Sequence, residues 1–296
     1  MEKIIECVPN FSTSDPKVLD LLKACFKKHG VLIGYECDID HNRAVITCAG
    51  NPKKVIKAVL QAVGVAVQNI DLNTHTGAHP RMGAVDVIPF IPVKNMTMQE
   101  AVEVSKIVGS KISKKFDVPV FLYAHSASKA NRVQLSDVRR GGFEGLVQKM
   151  KDPDWQPDFG NNTPHKTAGA TVCGARDFLL AYNINLNTSD VNIAKKIASS
   201  IRESNGGLKG VKALGLMLKS TDTAQVSMNI TDCNSISLFE VFSTVKQLAH
   251  NLDTSIKNSE LIGYAPMHII AKSMKQAVVF DEFDKNRVLE YTLWNK

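Results

Sequence analysis

The order of strand and helix patterns is the same in both halves of the chain, and this repeat constrains the fold most. In each half, the apolar spacing predicts strand, helix, strand, strand, helix and strand in succession. In the first half the predicted strands are 4–11, 31–35, 43–49 and 83–93, and the predicted helices are 16–28 and 51–70. In the second half the predicted strands are 177–187, 211–219, 224–232 and 260–266, and the predicted helices are 190–203 and 235–252. We therefore expect an α+β fold of two α/β-sandwich subdomains, each with a ferredoxin-like βαββαβ pattern and helices on one face of its sheet.

Capping signals place the starts of two helices. Asp15 precedes the first helix and is a residue type that accepts hydrogen bonds from the first helical N–H groups. Thr97 and Glu100 have the spacing of a capping box, which predicts a further helix to about residue 116. A short apolar run at 118–123 then predicts another strand.

Two features of the first half depart from the regular pattern. Pro89 interrupts the strand at 83–93, so we expect that strand at a sheet edge or with a bulge, because proline donates no ladder hydrogen bond. Residues 125–177 form a long irregular stretch with one short predicted helix. A segment of this kind is typical of a functional loop or of a linker.

The composition is that of a globular protein and gives no signal of secretion or membrane insertion. The 296 residues are 44% hydrophobic, which is enough for a sizeable core. No apolar run approaches the roughly 18 residues of a membrane span, and the start of the chain does not resemble a signal peptide. The six cysteines are scattered without a C-x-x-C pair, which favours reduced thiols, a cytoplasmic location and no metal site.

The charge favours a small acidic ligand over nucleic acid. The net charge is +7, but the basic residues are dispersed and aromatic residues are only 6% of the chain. Nucleic-acid binding sites commonly interleave basic and aromatic side chains on one surface. We therefore expect no nucleic-acid partner.

The stretch HTGAHPRMGAVD at 75–86 is the first candidate site. His79 precedes Pro80, which favours an extended backbone, and Gly77 and Gly83 allow sharp turns on either side. Such a constrained loop suits a histidine that transfers protons near neutral pH, with Arg81 disfavouring the charged ring. The alternative hypothesis to a proton-transfer site is a polar loop with a surface histidine. A metal pair with His75 is excluded, because glycine and proline break the helix that it would need.

Two further stretches carry polar residues that suit a ligand. In DIDHNRAV at 38–45, we interpret Asp38 as part of a hairpin turn. Asp40 and Arg43 are candidates for either the turn or a ligand site. The stretch PDFGNNTPHKTAGATVCGAR at 157–176 is rich in small residues and suits a backbone that closes over a flat ligand. It lacks the spacing of a P-loop or a dinucleotide fingerprint, and a linker is the other reading.

Together these motifs resemble the formiminotransferase domain family almost from end to end. The resemblance is carried by ECVPNFS at 6–12, DHNRAV at 40–45, GAHPRMGAVDVIPFIPV at 77–93, PDFG at 157–160, GATVCGAR at 169–176, AYNINLN at 181–187 and SELIGYAPM at 259–267. It implies two subdomains, 1–178 and 179–296, with a ligand cleft between them, usually in a homodimer. It also implies transfer of a formimino group between N-formimino-L-glutamate and tetrahydrofolate, a step of histidine breakdown and one-carbon metabolism.

The resemblance also implies roles for particular residues. The catalytic histidine of the family falls on His79. The folate-binding stretch falls on Gly160, Asn161, Asn162, Thr163, Pro164, His165, Lys166, Thr167, Ala168 and Gly169. The candidate substrate-binding residues are Asn10, Asp40, Asn42, Arg43 and Arg81. The chain departs from the family pattern at Thr76, Ala78 and Gly142, so a non-catalytic folate-binding paralogue is the alternative.

Overall fold

The chain divides into two compact units. The computed structural model describes residues 2–39, 41–77, 80–218 and 221–294. Contacts between residues separate a first unit, Met1–Arg176, from a second unit, Asp177–Lys296. This division lies two residues before the boundary that the sequence predicts at 178/179, and each unit has its own hydrophobic core.

The first unit is a seven-stranded sheet with helices on both faces. Its strands are β1 (Ile4–Cys7), β2 (Asn10–Phe11), β3 (Leu32–Asp38), β4 (Arg43–Gly50), β5 (Val85–Lys94), β6 (Val120–Leu122) and β7 (Thr171–Ala175). Its helices are α1 (Pro16–Lys28), α2 (Pro52–Asn69), α3 (Met98–Phe116), α4 (Leu135–Arg139) and α5 (Gly142–Lys149). The sheet runs β3, β4, then β1 and β2 as one interrupted strand, then β5, β7 and β6. The part from β3 to β5 has the strand order of a ferredoxin-like unit, which confirms the predicted pattern.

The helices α1 to α3 cover one face of this sheet because their apolar residues recur at helical spacing. Leu22, Val59 and Val108 represent the three helices in one core cluster. Both predicted caps are present: the Asp15 side chain accepts from the backbone N–H of Lys17, and Thr97 completes a capping box with Glu100. The helix starts were therefore fixed by local chemistry that can be read from the sequence.

Two alternatives were predicted for the strand with Pro89: the edge position is wrong, and bulges are present near both ends of the strand and not at the proline. β5 lies between the β1–β2 strand and β7, and its register with β2 shifts between Asn10 and Phe11. The carbonyl oxygen of Pro89 accepts from Val8 N, which lies in the break between β1 and β2. Since the N and C=O of one strand residue point to the same side, the missing N–H of Pro89 also faces that break. A central strand tolerates this proline because its neighbour is itself interrupted.

The stretch predicted as irregular contains more regular structure than expected. Two short helices, α4 and α5, replace the single predicted one, and β7 forms between β5 and β6 in parallel with both. Val138 of α4 and Leu146 of α5 pack with Val172 in a separate cluster on the second face of the sheet. The expected single helical layer is thus extended by a second layer over β5, β7 and β6.

The second unit is a four-stranded antiparallel sheet with the ferredoxin-like strand order. Its strands are β8 (Leu180–Leu186), β9 (Val211–Leu218), β10 (Thr223–Ile230) and β11 (Ile256–Ile262), and its helices are α6 (Val191–Ile201), α7 (Leu238–His250), α8 (Met267–Ala277) and α9 (Leu289–Trp294). The strand order is β11, β8, β10, β9. On β8 every second residue is buried, as the alternation AYNINL predicts. In the described part of the chain, no helix is both long and apolar enough to span a bilayer.

Candidate active site

The turn that holds the predicted catalytic residue is anchored to the β3–β4 hairpin. Ala78 and His79 themselves lie outside the described residues. Before them, the Nε2 of His75 donates to the carbonyl oxygen of Asn42 at 3.0 Å, and the Nδ2 of Asn42 donates to the carbonyl oxygen of Thr76 at 2.9 Å. A Cβ on Gly77 would lie 2.5 Å from the carbonyl oxygen of His41, so glycine permits this close approach. The chain entering the turn is therefore fixed against the hairpin.

Asn42 is the centre of this anchor. It has a φ of 47°, in the left-handed region that asparagine tolerates better than most residues. Its Oδ1 accepts from the backbone N–H and the hydroxyl of Ser14, at 2.7 and 2.9 Å. In the structure, Asn42 therefore positions the turn, and its contact with substrate stays a prediction.

The chain leaving the turn is anchored through Arg81. Its Nε donates to the Nδ1 of His75 at 3.1 Å, and its terminal nitrogens bind both carboxylate oxygens of Glu144 at 2.8 and 3.1 Å. The His75 ring thus accepts at one nitrogen and donates from the other. The same hydrogen bonds with Arg81 lower the pKa of the exposed Glu144 carboxyl. A substrate anion at Arg81 would have to compete with Glu144.

The segment just after the turn pairs with the end of the predicted folate-binding stretch. Ala84 N donates to the carbonyl oxygen of Ala168, and Ala170 N donates to that of Met82, both at 3.0 Å. Gly83 lies between these bonds, and a Cβ there would be 2.1 Å from the carbonyl oxygen of Ala170. The sequence assigned Gly83 to a sharp turn, but its φ is not in the left-handed region. Glycine is required there by close backbone approach.

The predicted folate-binding stretch is a folded loop with exposed side chains at its tip. The His165 ring accepts from the backbone N–H of Ala168 at 3.0 Å, and His165 and Gly169 exchange backbone hydrogen bonds. The carbonyl oxygen of Thr167 accepts from Leu72 N at 2.9 Å, which ties the loop to the end of α2. His165 is thus engaged in the loop's own structure. The side chains of Asn161, Asn162, Thr163 and Lys166 are exposed.

Beside His75 and Arg81 lies a small polar pocket, whose free space of about 10 Å³ is roughly that of one water molecule. Four of the five predicted substrate-binding residues line it: Asn10, Asn42, Arg43 and Arg81. The fifth, Asp40, lies outside the described residues. Arg43 donates to the Oδ1 of Asn10, whose Nδ2 donates to Val8 O at 2.8 Å. Burial lowers the pKa of Arg43 to about 10, and the nearby Arg139 adds to this effect.

Sequence reasoning missed a buried ion pair behind this pocket. Asp86 on β5 is only 3% exposed; it accepts from Met82 N at 2.9 Å and lies 2.5 Å from the guanidinium of Arg139. The signal for Asp86 was present in the sequence, since a carboxylate within an apolar strand must find a partner. The partner Arg139 is 53 positions away, and no local pattern connects the two.

The PDFG motif has a structural role. Asp158 accepts from Leu122 N at 2.7 Å and from the guanidinium of Arg132 at 2.8 Å. Arg132 is 1% exposed and also donates to the carbonyl oxygen of Asp154 at 2.8 Å. This buried pair ties the segment before the predicted folate-binding loop to β6, so the motif supports the loop.

Comparison with known proteins identifies the class. The family model described as the formiminotransferase domain, N-terminal subdomain, matches residues 4–176, and the model described as the formiminotransferase domain matches residues 181–290. These ranges cover most of both compact units. The chain therefore belongs to the formiminotransferase family.

Individual proteins of this family are similar to the chain over almost its whole length. The chain is 43% identical over 290 residues to the glutamate formimidoyltransferase of Streptococcus pyogenes serotype M1, covering 97% of both chains. It is 37% identical to the glutamate formimidoyltransferase of Thermoplasma acidophilum, covering 97% of this chain and 96% of that one. It is 38% identical to the formimidoyltransferase-cyclodeaminase of Mus musculus, covering 98% of this chain but 54% of the mouse protein.

Proposed function

We propose that this chain is a glutamate formimidoyltransferase, which moves a formimino group between N-formimino-L-glutamate and tetrahydrofolate. The observation that carries the proposal is the backbone pairing of Met82–Ala84 with Ala168–Ala170. It joins residues 82–84, which follow His79 closely in the sequence, to the end of the predicted folate-binding stretch 160–169, and Arg81 lines the same polar pocket as Arg43. Relatives that cover the full length of the chain carry this activity in their names.

The reaction requires one group that first accepts and then donates a proton. The N5 amine of tetrahydrofolate adds to the formimino carbon and loses a proton as a tetrahedral intermediate forms. The amine of glutamate must then be protonated before it leaves. A histidine with a pKa near neutral pH can perform both transfers, and we assign this role to His79. The chemistry needs neither a metal nor a covalent enzyme intermediate. We expect a chelator to leave the activity unchanged.

The assay of transfer tests this assignment directly. We expect purified protein to form 5-formiminotetrahydrofolate from the two substrates, and His79→Ala to lower the rate by about 100-fold or more. The affinity for tetrahydrofolate should stay within a few-fold, because the histidine acts on the reacting atoms. His29→Ala is the matched control, since His29 lies at the C-terminal end of α1 and its ring hydrogen-bonds Gln61 of α2. Full activity in His79→Ala would overturn the assignment.

The alternative of a non-catalytic folate-binding paralogue is an outcome of the same assay. Two of the departures that suggested it are described in the structure. Thr76 contributes its backbone carbonyl to the anchor of the turn, and Gly142, with a φ of 59°, precedes Glu144, which still binds Arg81. Thr76 and Gly142 are therefore compatible with an anchored turn in this chain, which favours the active enzyme. Saturable folate binding without transfer in the wild type would instead support the paralogue.

The setting of the enzyme follows the same family resemblance. We propose a cytoplasmic homodimer that binds folate and N-formimino-L-glutamate, with no nucleic-acid or membrane partner. The predicted ligand cleft between the halves and the roles of residues 160–169 belong to this proposal. Light scattering of the eluted protein tests the dimer, and a mass of 32.4 kDa would contradict it, because that is the mass of one chain.

A further inference from the structure

The buried charges behind the polar pocket do not balance. Asp86 is buried and pairs with Arg139, while Arg43 lies close enough that Asp86 and Arg139 act on it in opposite directions. Among the described residues, the other acidic groups that act on Arg43 are Glu36 and Asp38, and both are exposed to solvent, which screens them. Two arginine charges thus share one buried carboxylate, and a buried uncompensated charge is costly.

Unused hydrogen-bond donors lie at the same place. The Nε atoms of Arg43 and Arg139 are both buried, and neither has an acceptor in the described part of the chain. The Nε of Arg132 is in the same state, but there one arginine faces one aspartate, so the charge is balanced. Only beside the pocket do excess positive charge and unused donors coincide among these arginines. An anion bound at the pocket would balance this excess charge.

We propose that Arg139, together with Arg43, binds a carboxylate of the amino-acid substrate, with Asp86 holding Arg139 in position. This inference rests on the proposed function and assigns a substrate-binding role to a residue that the sequence did not suggest. A carboxylate offers two oxygens that can accept from both guanidinium groups at once. Arg43 and Asp86 line the pocket, and Arg139, which pairs with Asp86, is 17% exposed.

The size and position of the pocket favour a carboxylate over the pterin ring of folate. Its free space of about 10 Å³ admits one small group such as a carboxylate, and a pterin ring with its aminobenzoate does not fit there. Its lining includes His75 and Arg81, which stand before and after residue 79 in the chain. A carboxylate held by the arginines would therefore place the formimino group of the same molecule toward the turn of the proposed proton-transfer residue.

Steady-state kinetics of two adjacent variants test the inference. Arg139→Gln should raise the KM for N-formimino-L-glutamate by roughly 10- to 100-fold, the loss expected for a charged hydrogen bond to a carboxylate. The KM for tetrahydrofolate should change by no more than about two-fold. Arg140→Gln is the matched control, because Arg140 is 79% exposed and pairs with Asp137. An unchanged KM for the amino acid in Arg139→Gln, or a raised KM for folate instead, would overturn the inference.

A second variant separates binding from folding. Arg139→Gln alone leaves Asp86 buried without its partner, which destabilises the first unit. The double variant Asp86→Asn/Arg139→Gln removes both charges and should recover most of the melting temperature. If Arg139 binds substrate, the double variant keeps the raised KM. If Arg139 only neutralises Asp86, the KM returns to the wild-type value and the inference fails.

Equilibrium binding separates this inference from the proposed function. Calorimetric titration with L-glutamate requires no turnover, and we expect binding to the wild type that is lost in Arg139→Gln and kept in Arg140→Gln. This result in a protein without transfer activity would reject the proposed function and support the carboxylate site. Transfer activity without any difference between the two variants would do the reverse. Titrations with L-glutamine and with L-isoglutamine, which each lack one carboxylate, identify which carboxylate the arginines bind.

Discussion

Replacing Gly83 by alanine tests the backbone pairing on which the candidate site depends. The new Cβ would lie 2.1 Å from the carbonyl oxygen of Ala170 and 2.7 Å from that of Val85, whereas an ordinary contact begins at about 3.4 Å. Both obstacles are backbone atoms, so no side-chain rotation relieves them. The segments Met82–Ala84 and Ala168–Ala170 must therefore move apart by about an ångström or more.

The magnitude follows from the bonds that such a movement breaks. The two hydrogen bonds between these segments are 3.0 Å long, and an added ångström exceeds their range. Each bond contributes about 1 kcal/mol net, and a buried group left without a partner costs about 1–3 kcal/mol more. We expect Gly83→Ala to lower the unfolding free energy of the first unit by about 3 kcal/mol. With a urea slope of about 2 kcal/mol/M, the midpoint should fall by about 1.5 M.

The assay is urea unfolding followed by tryptophan fluorescence. The chain has two tryptophans, so the Trp294→Phe background leaves Trp155 as the reporter of the first unit. Gly145→Ala is the matched control, because Gly145 lies within α5 and a Cβ there meets no atom within 4 Å. That control should gain about 0.5–1 kcal/mol, since alanine is the better helix former.

A Gly83→Ala midpoint equal to that of the background protein would refute the reasoning. It would mean that residues 82–84 and 168–170 are not held together as described. At urea concentrations and temperatures at which the first unit stays folded, we expect Gly83→Ala to keep its transfer activity. The activity should fall only where the first unit unfolds. A loss of transfer in fully folded Gly83→Ala would indicate that the pairing also positions the turn.

Two further predictions concern charged side chains of the first unit. Asp158→Asn should lower the free energy of unfolding by about 3–5 kcal/mol, because it leaves Arg132 buried and unpaired. The control Asp154→Asn, at an exposed position, should change that free energy by less than about 0.5 kcal/mol. Equal melting temperatures of the two variants would contradict the prediction. Burial lowers the pKa of Lys149 to about 8, against about 10.4 in an unfolded chain. Between these values the unfolded chain binds more protons, so the contribution of Lys149 to stability rises with pH. The free energy of unfolding of the wild type minus that of Lys149→Met should therefore increase as the pH rises through this interval. A difference that does not change with pH would contradict the prediction.

Elements with local signals were predictable from the sequence, whereas one strand was not. The capping box of Thr97 and the cap of Asp15 involve residues two or three positions apart, so the sequence contains the whole interaction. β7 was missed because TVCGA is buried on both faces and shows no alternation. It is a strand only because parallel β5 and β6 supply its hydrogen bonds.

The candidate site likewise has a part that the sequence predicted and a part that it did not. The motif around residue 79 and the pocket residues Asn10, Asn42 and Arg43 were identified by sequence, because they lie in motifs with a recognisable pattern. Asp86 was visible as a carboxylate in an apolar strand, but its partner was not. Arg139 reaches Asp86 from α4, a five-residue helix that packs on the second face of the sheet. Only the fold brings these two charges together.

The sequence by itself determined the two βαββαβ repeats, the starts of the capped helices and the family to which the chain belongs. These depend on periodicity, on contacts within a few residues and on motifs. The tertiary structure alone decided that Pro89 lies in a central strand, that Gly83 admits a carbonyl oxygen at close range, and that Arg139 pairs with Asp86 near Arg43. Each of these depends on groups far apart in the chain, whose packing distance and burial set the energy, and no local pattern of residues records that distance.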